Sequence, residues 1–257
     1  MRLRVLTYNI HRAIGVDRRF RLDRIAEIVA HHDPDVAILQ EVDDGAPRSG
    51  HINLAAELAL LLGYPHLAVG HNVRLRQGRY GNATLSRHPI VRERNIDLTI
   101  GGRKRRGCLH ATIRVLPTHG APRDVEVFNL HLGLSARERD LQVAALAHAR
   151  EFSALDPQRP CVLAGDFNDW RNLLRAAFVS VLGMRCATER APDGRRCLRT
   201  YPSFSPTGGL DRVYVRGPLR VLAARTCRLR ASRVASDHLP VIVDLGWTAA
   251  AGARVLD

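Results

Sequence analysis

Lysine is almost absent from this chain of 257 residues: Lys104 stands alone, and every other basic residue except histidine is arginine. A preference for arginine explains that ratio. It does not explain 39 basic against 25 acidic residues, a formal charge of +14. Such a field attracts polyanions, either nucleic acid or an anionic membrane face. Aromatic residues make up only 5% and do not alternate with basic ones, which argues against a platform for stacking unpaired bases. Long apolar runs are missing too. The stretch around Leu54 to Leu62 is broken by Glu57 and is too short to cross a bilayer, so no transmembrane segment is expected. No apolar run follows Met1-Arg2-Leu3-Arg4, so no signal peptide is expected. The five cysteines are odd in number, widely spaced and free of Cys-x-x-Cys, which disfavours a zinc site or disulfide framework and fits reduced thiols in the cytoplasm. Repeats, low-complexity tracts and long linkers are also absent. The expectation is a single domain over 1–247 with a short tail, 248–257.

Short apolar runs separated by turn signals are plentiful. Strands are expected at Leu3 to Tyr8, Val36 to Gln40, Ala83 to Ser86, Leu109 to Val115, Val125 to Leu130, Cys161 to Ala164, Val213 to Val215 and Val241 to Leu245. Helical spacing of Leu22, Ile25, Ile28 and Val29 predicts a helix between the first two strands. Leu54, Leu58, Leu61 and Leu62 mark a second helix. Ser135-Ala136-Arg137-Glu138 has the form of a capping box and opens a third. A fourth is expected near Trp170 to Val181. The polar stretch from Gly183 to Gly209 reads as a long surface loop over the site.

Polar residues gather at the ends of these strands. Asn9 follows the first, and Gln40-Glu41 ends the second. Asn129 and His131 end the fifth, and Asp166 and Asn168 close Cys161 to Ala164. Asp211 precedes Val213, and Asp237-His238 precedes the last strand. Each has an ordinary explanation when taken singly: Asn9 as a turn residue, Glu41 as a solvated loop carboxylate, His131 as a core histidine, Asp211 as the partner of an arginine. Together they place acids, amides and imidazoles at one kind of position, where residues distant in sequence can share a pocket. Phosphoester hydrolysis needs that set: carboxylates to hold a metal and activate water, and imidazole to stabilise phosphoryl oxygens.

The segments Thr7-Tyr8-Asn9-Ile10, Leu39-Gln40-Glu41-Val42, Gly81-Asn82-Ala83-Thr84-Leu85-Ser86, Asn129-Leu130-His131-Leu132, Gly165-Asp166-Phe167-Asn168, Leu210-Asp211-Arg212-Val213 and Ser236-Asp237-His238 resemble, in order, those of the endonuclease/exonuclease/phosphatase (DNase I-like) superfamily. That group contains DNase I, repair nucleases, neutral sphingomyelinases and inositol polyphosphate phosphatases. Lys104-Arg105-Arg106-Gly107 and His131-Leu132-Gly133-Leu134 are similar to a bacterial subfamily, some of whose members are encoded beside a cardiolipin synthase. The resemblance implies an α/β fold, a four-layer α/β sandwich of two packed mixed β-sheets flanked by helices.

It also implies roles. Glu41, with Asn9 and Asp237, would hold Mg²⁺ or Mn²⁺, a hard cation that prefers oxygen. Asp166 would be the general base, with Asn168 orienting water or a phosphoryl oxygen. His238 would donate to a nonbridging oxygen with Asp211 behind it, and His131 would bind phosphate from the other side. Arg106, Asn82 and His11 would contact substrate phosphate. Many members carry an acid two places after the equivalent of Asn9; here it is His11, which argues against a second oxygen-rich metal site. The expected reaction is metal-dependent, in-line hydrolysis of a phosphodiester, with nucleic acid favoured because Arg103 to Arg106, Arg195-Arg196-Arg199 and Arg225 to Arg233 could track a phosphate backbone. The alternatives are a phospholipid or sphingomyelinase-like headgroup, reached by peripheral contact with an anionic membrane, and an inositol or sugar phosphate. A non-catalytic polyanion-binding protein is the reading from another class, and the nearly complete set of catalytic residue types argues against it.

Overall fold

A computed structural model describes residues 2–117, 120–190 and 197–248. The strands are β1 (Arg2–Asn9), β2 (Val36–Asp44), β3 (His66–Arg74), β4 (Arg79–Ser86), β5 (Ile90–Asp97), β6 (Gly107–Val115), β7 (Arg123–His131), β8 (Cys161–Asp166), β9 (Arg185–Cys186), β10 (Asp211–Arg216), β11 (Leu219–Thr226) and β12 (Val241–Trp247). The helices are α1 (Leu22–His32), α2 (Leu54–Leu62), α3 (Ala136–His148) and the single turns α4 (Arg150–Ser153) and α5 (Ser232–Ala235). No helix among the described residues is long and apolar enough to cross a membrane.

The strands form two six-stranded sheets, ordered β11-β12-β1-β2-β4-β3 and β5-β6-β7-β8-β10-β9. Each is mixed: β1 runs parallel to β2, β7 runs parallel to β8, and the other pairs are antiparallel. Central strands are apolar on both faces, as burial on both sides requires. Val5, Val36, Ile38, Val241 and Val243 of the first sheet meet Ala111, Ile113, Val127, Val162 and Val213 of the second in the innermost layer. The outer face of the first sheet packs Leu6, Tyr8, Leu39 and Leu85 on Ile25, Ile28, Leu54 and Leu58 of α1 and α2. The outer face of the second packs Phe128, Leu130 and Leu163 on Val143 and Leu146 of α3. The result is the expected helix–sheet–sheet–helix sandwich. Burying each such side chain contributes about 1.5–3 kcal/mol before the entropy cost.

Ser135 caps α3, its hydroxyl accepting from the Glu138 amide at 3.3 Å. The expected fourth helix forms only in the second half of its span, 175–181. Asn172 takes a left-handed φ of 57°, Asp169 accepts from the Leu174 amide at 2.8 Å, and the segment ends in one π-helical turn, Ala177–Val181. The Gly183–Gly209 stretch holds the short β9, and its Tyr201 reaches the site described below. Arg195, Arg196 and residues 249–257 of the expected tail lie outside the described residues.

Candidate active site

Strand register builds the site. His131 pairs with Asp166 across β7 and β8, and Asp166 pairs with Asp211 across β8 and β10. These three residues therefore form one row at the strand tips, on one face of the second sheet. Parallel β7 and β8 approach closely because residue 165 is glycine: at its φ of 146°, a Cβ would stand 1.9 Å from the Leu130 carbonyl oxygen. From the first sheet, Asn9 donates to Asp166 Oδ2 at 3.1 Å. Beneath the row, Gln40 donates to Asn129 Oδ1 at 2.8 Å, while Asn129 donates to the Leu39 and Ala83 carbonyls at 3.0 and 2.9 Å. This buried latch ties the two sheets together just below the site.

Asp166 is buried between two imidazoles. His131 Nε2 lies 3.4 Å and His238 Nε2 3.7 Å from its Oδ2, and its Oδ1 accepts from the Asn168 amide at 2.9 Å. Asn168 has a φ of 51° and donates its side chain to the Leu132 carbonyl at 2.9 Å. His238 Nδ1 is 2.8 Å from Asp211 Oδ2. Its loop is pinned by Ser236, whose hydroxyl donates to the Asn9 carbonyl at 2.7 Å and accepts from the His238 amide at 3.1 Å.

Burial raises the Asp166 pKa above the usual carboxylate range; the His238 charge opposes this and Asp211 adds to it. For His238, burial disfavours the charged ring, but the carboxylates of Asp211 and Asp166 outweigh it and raise its pKa to about 10. For His131, burial comes first, and the charges of Arg106, His238 and Lys104 push the same way, so its pKa falls well below the ordinary value. Burial and neighbouring charges therefore push the two imidazoles that face this carboxyl group in opposite directions.

Above the row is a cleft of about 550 Å³. It is lined by Asn9, Glu41, His131, Asp166, Asn168, Asp237 and His238, with Arg103, Lys104 and Arg106 on one wall and Trp170 and Tyr201 on another. Glu41 is aimed there by a bulge: the register of β2 against β4 shifts between Leu39 and Val42, and Glu41 takes a φ of 57°. Asp237 Oδ1 lies 3.9 Å from His11 Nδ1, which is 2.8 Å from the Ile14 carbonyl. Trp170, 55% exposed, meets Tyr201 edge-on at 5.3 Å, and Tyr201 lies 5.0 Å from the His238 ring. Asn82 does not line the cleft. It is buried, and its amide donates to the Gly107 and Asn129 carbonyls at 3.2 and 3.0 Å, so this expected phosphate contact is spent on joining strands. Asp211 is fully buried behind His238 and does not line the cleft.

Two groupings are relevant to a metal. Asn9, Glu41 and Asp237 bring only oxygen ligands to the cleft, a donor set that fits a hard divalent cation. Asp166, Asp211 and His238 also present ligand atoms within 4.8 Å of one another. There, His238 Nδ1 faces Asp211 Oδ2, while Asp211 Oδ1 is buried with no hydrogen-bond partner among the described residues.

The sequence reading passed over Arg12 and treated Glu138 only as a cap. Glu138 is buried, lines the cleft and lies 3.5 Å from Arg103 Nη1. Its carboxylate lies so close to Gly133 that a Cβ there would stand 2.2 Å from Glu138 Cδ. The signal was available: the Ser135 cap follows His131 by four residues, so the third position of the helix must fall beside the site.

The sandwich, with its buried acid–imidazole row beside an oxygen-rich rim, is that of a metal-dependent phosphoester hydrolase. The chain belongs to the Endonuclease/Exonuclease/phosphatase family, whose profile matches residues 6–238. It is 32% identical to YbhP of Escherichia coli over 253 residues, covering 94% of this chain and 95% of that protein. A solved endonuclease/exonuclease/phosphatase from Beutenbergia cavernae superposes with a TM-score of 0.76 at 28% identity, over 97% of this chain and 72% of that one. A mannosyl-6-phosphatase from Bacteroides thetaiotaomicron shares the fold, with a TM-score of 0.71 at 21% identity, over 95% of this chain and all (100%) of that one.

Proposed function

We propose that the chain is a phosphodiesterase that cuts a nucleic-acid strand by in-line attack of water on phosphorus, and that residues 1–247 act as one domain. One observation supports this above the others: the Asp166 carboxyl lies between the imidazoles of His131 and His238, beside a wall of three cations. Asp166 takes the proton of the attacking water, and Asn168 fixes the loop from which it does so. His238, positioned by Asp211, donates to a nonbridging oxygen as charge grows there. His131 and Arg106 hold the phosphoryl group from the opposite side; Arg106 is buried and its Nε has no hydrogen-bond partner among the described residues. Glu41, Asn9 and Asp237 would hold the Mg²⁺ or Mn²⁺ ion, which supplies charge neutralisation when bound.

Nucleic acid is favoured by the cleft's rim. Arg103 and Lys104 suit a phosphate next to the one being cut, and exposed Trp170 offers a flat face for a base or sugar. A phospholipid headgroup is the second reading, favoured by Leu134, which lines the same rim and is 76% exposed. Hydrolysis of bis-p-nitrophenyl phosphate with Mn²⁺, lost with EDTA and in Asp166→Ala and His238→Ala, is the expected result. No metal-dependent turnover would defeat the enzyme reading. A panel of plasmid, single-stranded DNA, abasic duplex, sphingomyelin and cardiolipin then separates the substrates. Activity confined to lipid would overturn the nucleic-acid assignment.

A further inference from the structure

Glu41 is faced by a cation from its own chain. Arg12 Nε lies 3.4 Å from Glu41 Oε2; the two side chains are 24% and 15% exposed, and Arg12 Nε is buried without a hydrogen-bond partner among the described residues. The contact rests on unusual backbone. His11, Arg12 and Ala13 have φ of 45°, 61° and 57°, three successive left-handed residues with no glycine among them, and Glu41 opposite is left-handed as well. Each such residue costs about 1–3 kcal/mol and persists only where its surroundings enforce it. Here they do: the His11 amide donates to Asn9 Oδ1 at 3.1 Å, the Ala13 amide to the Ile10 carbonyl at 2.8 Å, and the Arg21 amide to the Ala13 carbonyl at 2.8 Å, while Ala13 is fully buried. The same turn sets His11 3.9 Å from Asp237. Two of the three oxygen-donor residues on the rim are therefore accompanied by basic side chains from one three-residue turn.

We infer that Arg12 is a built-in counter-cation of the metal site: its guanidinium offsets part of the Glu41 charge and stands where a second ion would otherwise balance the carboxylates, so the chain binds one divalent cation. This rests on Glu41 being a metal ligand, as proposed above. Arg12 touches a ligand rather than the reacting atoms, so it is a positioning residue.

The test is Mn²⁺ binding, followed by calorimetry and by the electron paramagnetic resonance of free ion, in the full chain without substrate. The wild type should bind one Mn²⁺. Arg12→Gln removes a like charge beside the ion and should tighten Mn²⁺ about tenfold, while Arg12→Lys should stay within about threefold of wild type. Circular dichroism and a melt without metal show whether each variant is folded. Two ions of comparable affinity in the wild type would overturn the proposal. So would unchanged or weaker binding in a folded Arg12→Gln, the result expected if Arg12 only props up the loop. If Arg12→Gln does not fold, the wild-type ion count decides alone. Turnover is not read, so failure here is distinct from failure to hydrolyse a phosphodiester.

Discussion

The second sheet contributes to two buried histidine–carboxylate pairs with the same separation and different surroundings. His238 Nδ1 lies 2.8 Å from Asp211 in the cleft, and His110 Nε2 lies 2.8 Å from Glu126 on the sheet's outer face. Around Glu126 the valences are filled: it also faces Thr112 at 2.7 Å and Arg159 at 3.1 Å. Burial works against its charge, but those three donors outweigh it and hold its pKa down to about 2. Around His238 the far nitrogen is left to a second carboxyl, Asp166, at 3.7 Å, whose own pKa is raised by burial. A His–carboxylate distance is thus silent about function. What separates the pairs is whether the ring's other nitrogen meets a group still open to the cleft.

That contrast can be broken experimentally. Asp166→Asn should lower kcat on bis-p-nitrophenyl phosphate by about a thousandfold or more while leaving the melting temperature nearly unchanged, and His238→Gln should lower kcat as far but also cost stability, because it strips the buried Asp211 carboxylate of its partner. Asp211→Asn removes support rather than a reacting group, and a loss of about a hundredfold in kcat is expected. Glu126→Gln should do the reverse, costing about 2 kcal/mol in urea unfolding with kcat preserved, because it leaves buried donors facing a neutral amide. A Glu126→Gln enzyme that is stable but dead would erase the distinction.

The Glu126 contribution also depends on pH in a fixed direction. Its folded pKa of about 2 lies below the ordinary 4.5, so the unfolded chain binds the proton more readily. The stabilisation is complete above 4.5 and fades as pH falls toward 2. The stability gap between wild type and Glu126→Gln should therefore shrink across that interval and stay constant from pH 5 to 7. The smallest expected effect is at the rim: Arg103→Ala should raise KM for DNA by about threefold and leave bis-p-nitrophenyl phosphate hydrolysis unaltered, since one exposed cation contributes little.

The eight strands expected from apolar runs are β1, β2, β4, β6, β7, β8, β10 and β12, which are the interior strands of the two sheets. The four that escaped notice, β3, β5, β9 and β11, are the four edges. Ile90–Asp97 shows why: six of its eight residues are exposed, its sequence is largely charged, and an edge strand has no second neighbour to demand apolar burial. The site was legible for the same reason the interior was. Asp166 stands out because it closes the apolar run Cys161 to Ala164, and His131 and Asp211 flank short apolar stretches of β7 and β10. Arg12 and Glu138 lie in a turn and at a helix start, where charge is commonplace, and their roles depend on backbone angles and on neighbours distant in sequence. Asn82 shows the opposite error: an amide at a buried strand tip can be consumed entirely by carbonyl groups.

Ser236 bonds the Asn9 carbonyl across a sequence separation of 227 residues, and β12 lies beside β1. The first and last pieces of the site are therefore neighbours in space and nearly the whole described chain apart in time. A ribosome making about 5–20 residues per second would have Asn9, Glu41, His131 and Asp166 in the nascent chain well before His238. Hydrolytic competence should therefore appear in a single step, when β12 docks beside β1 after synthesis has passed residue 238.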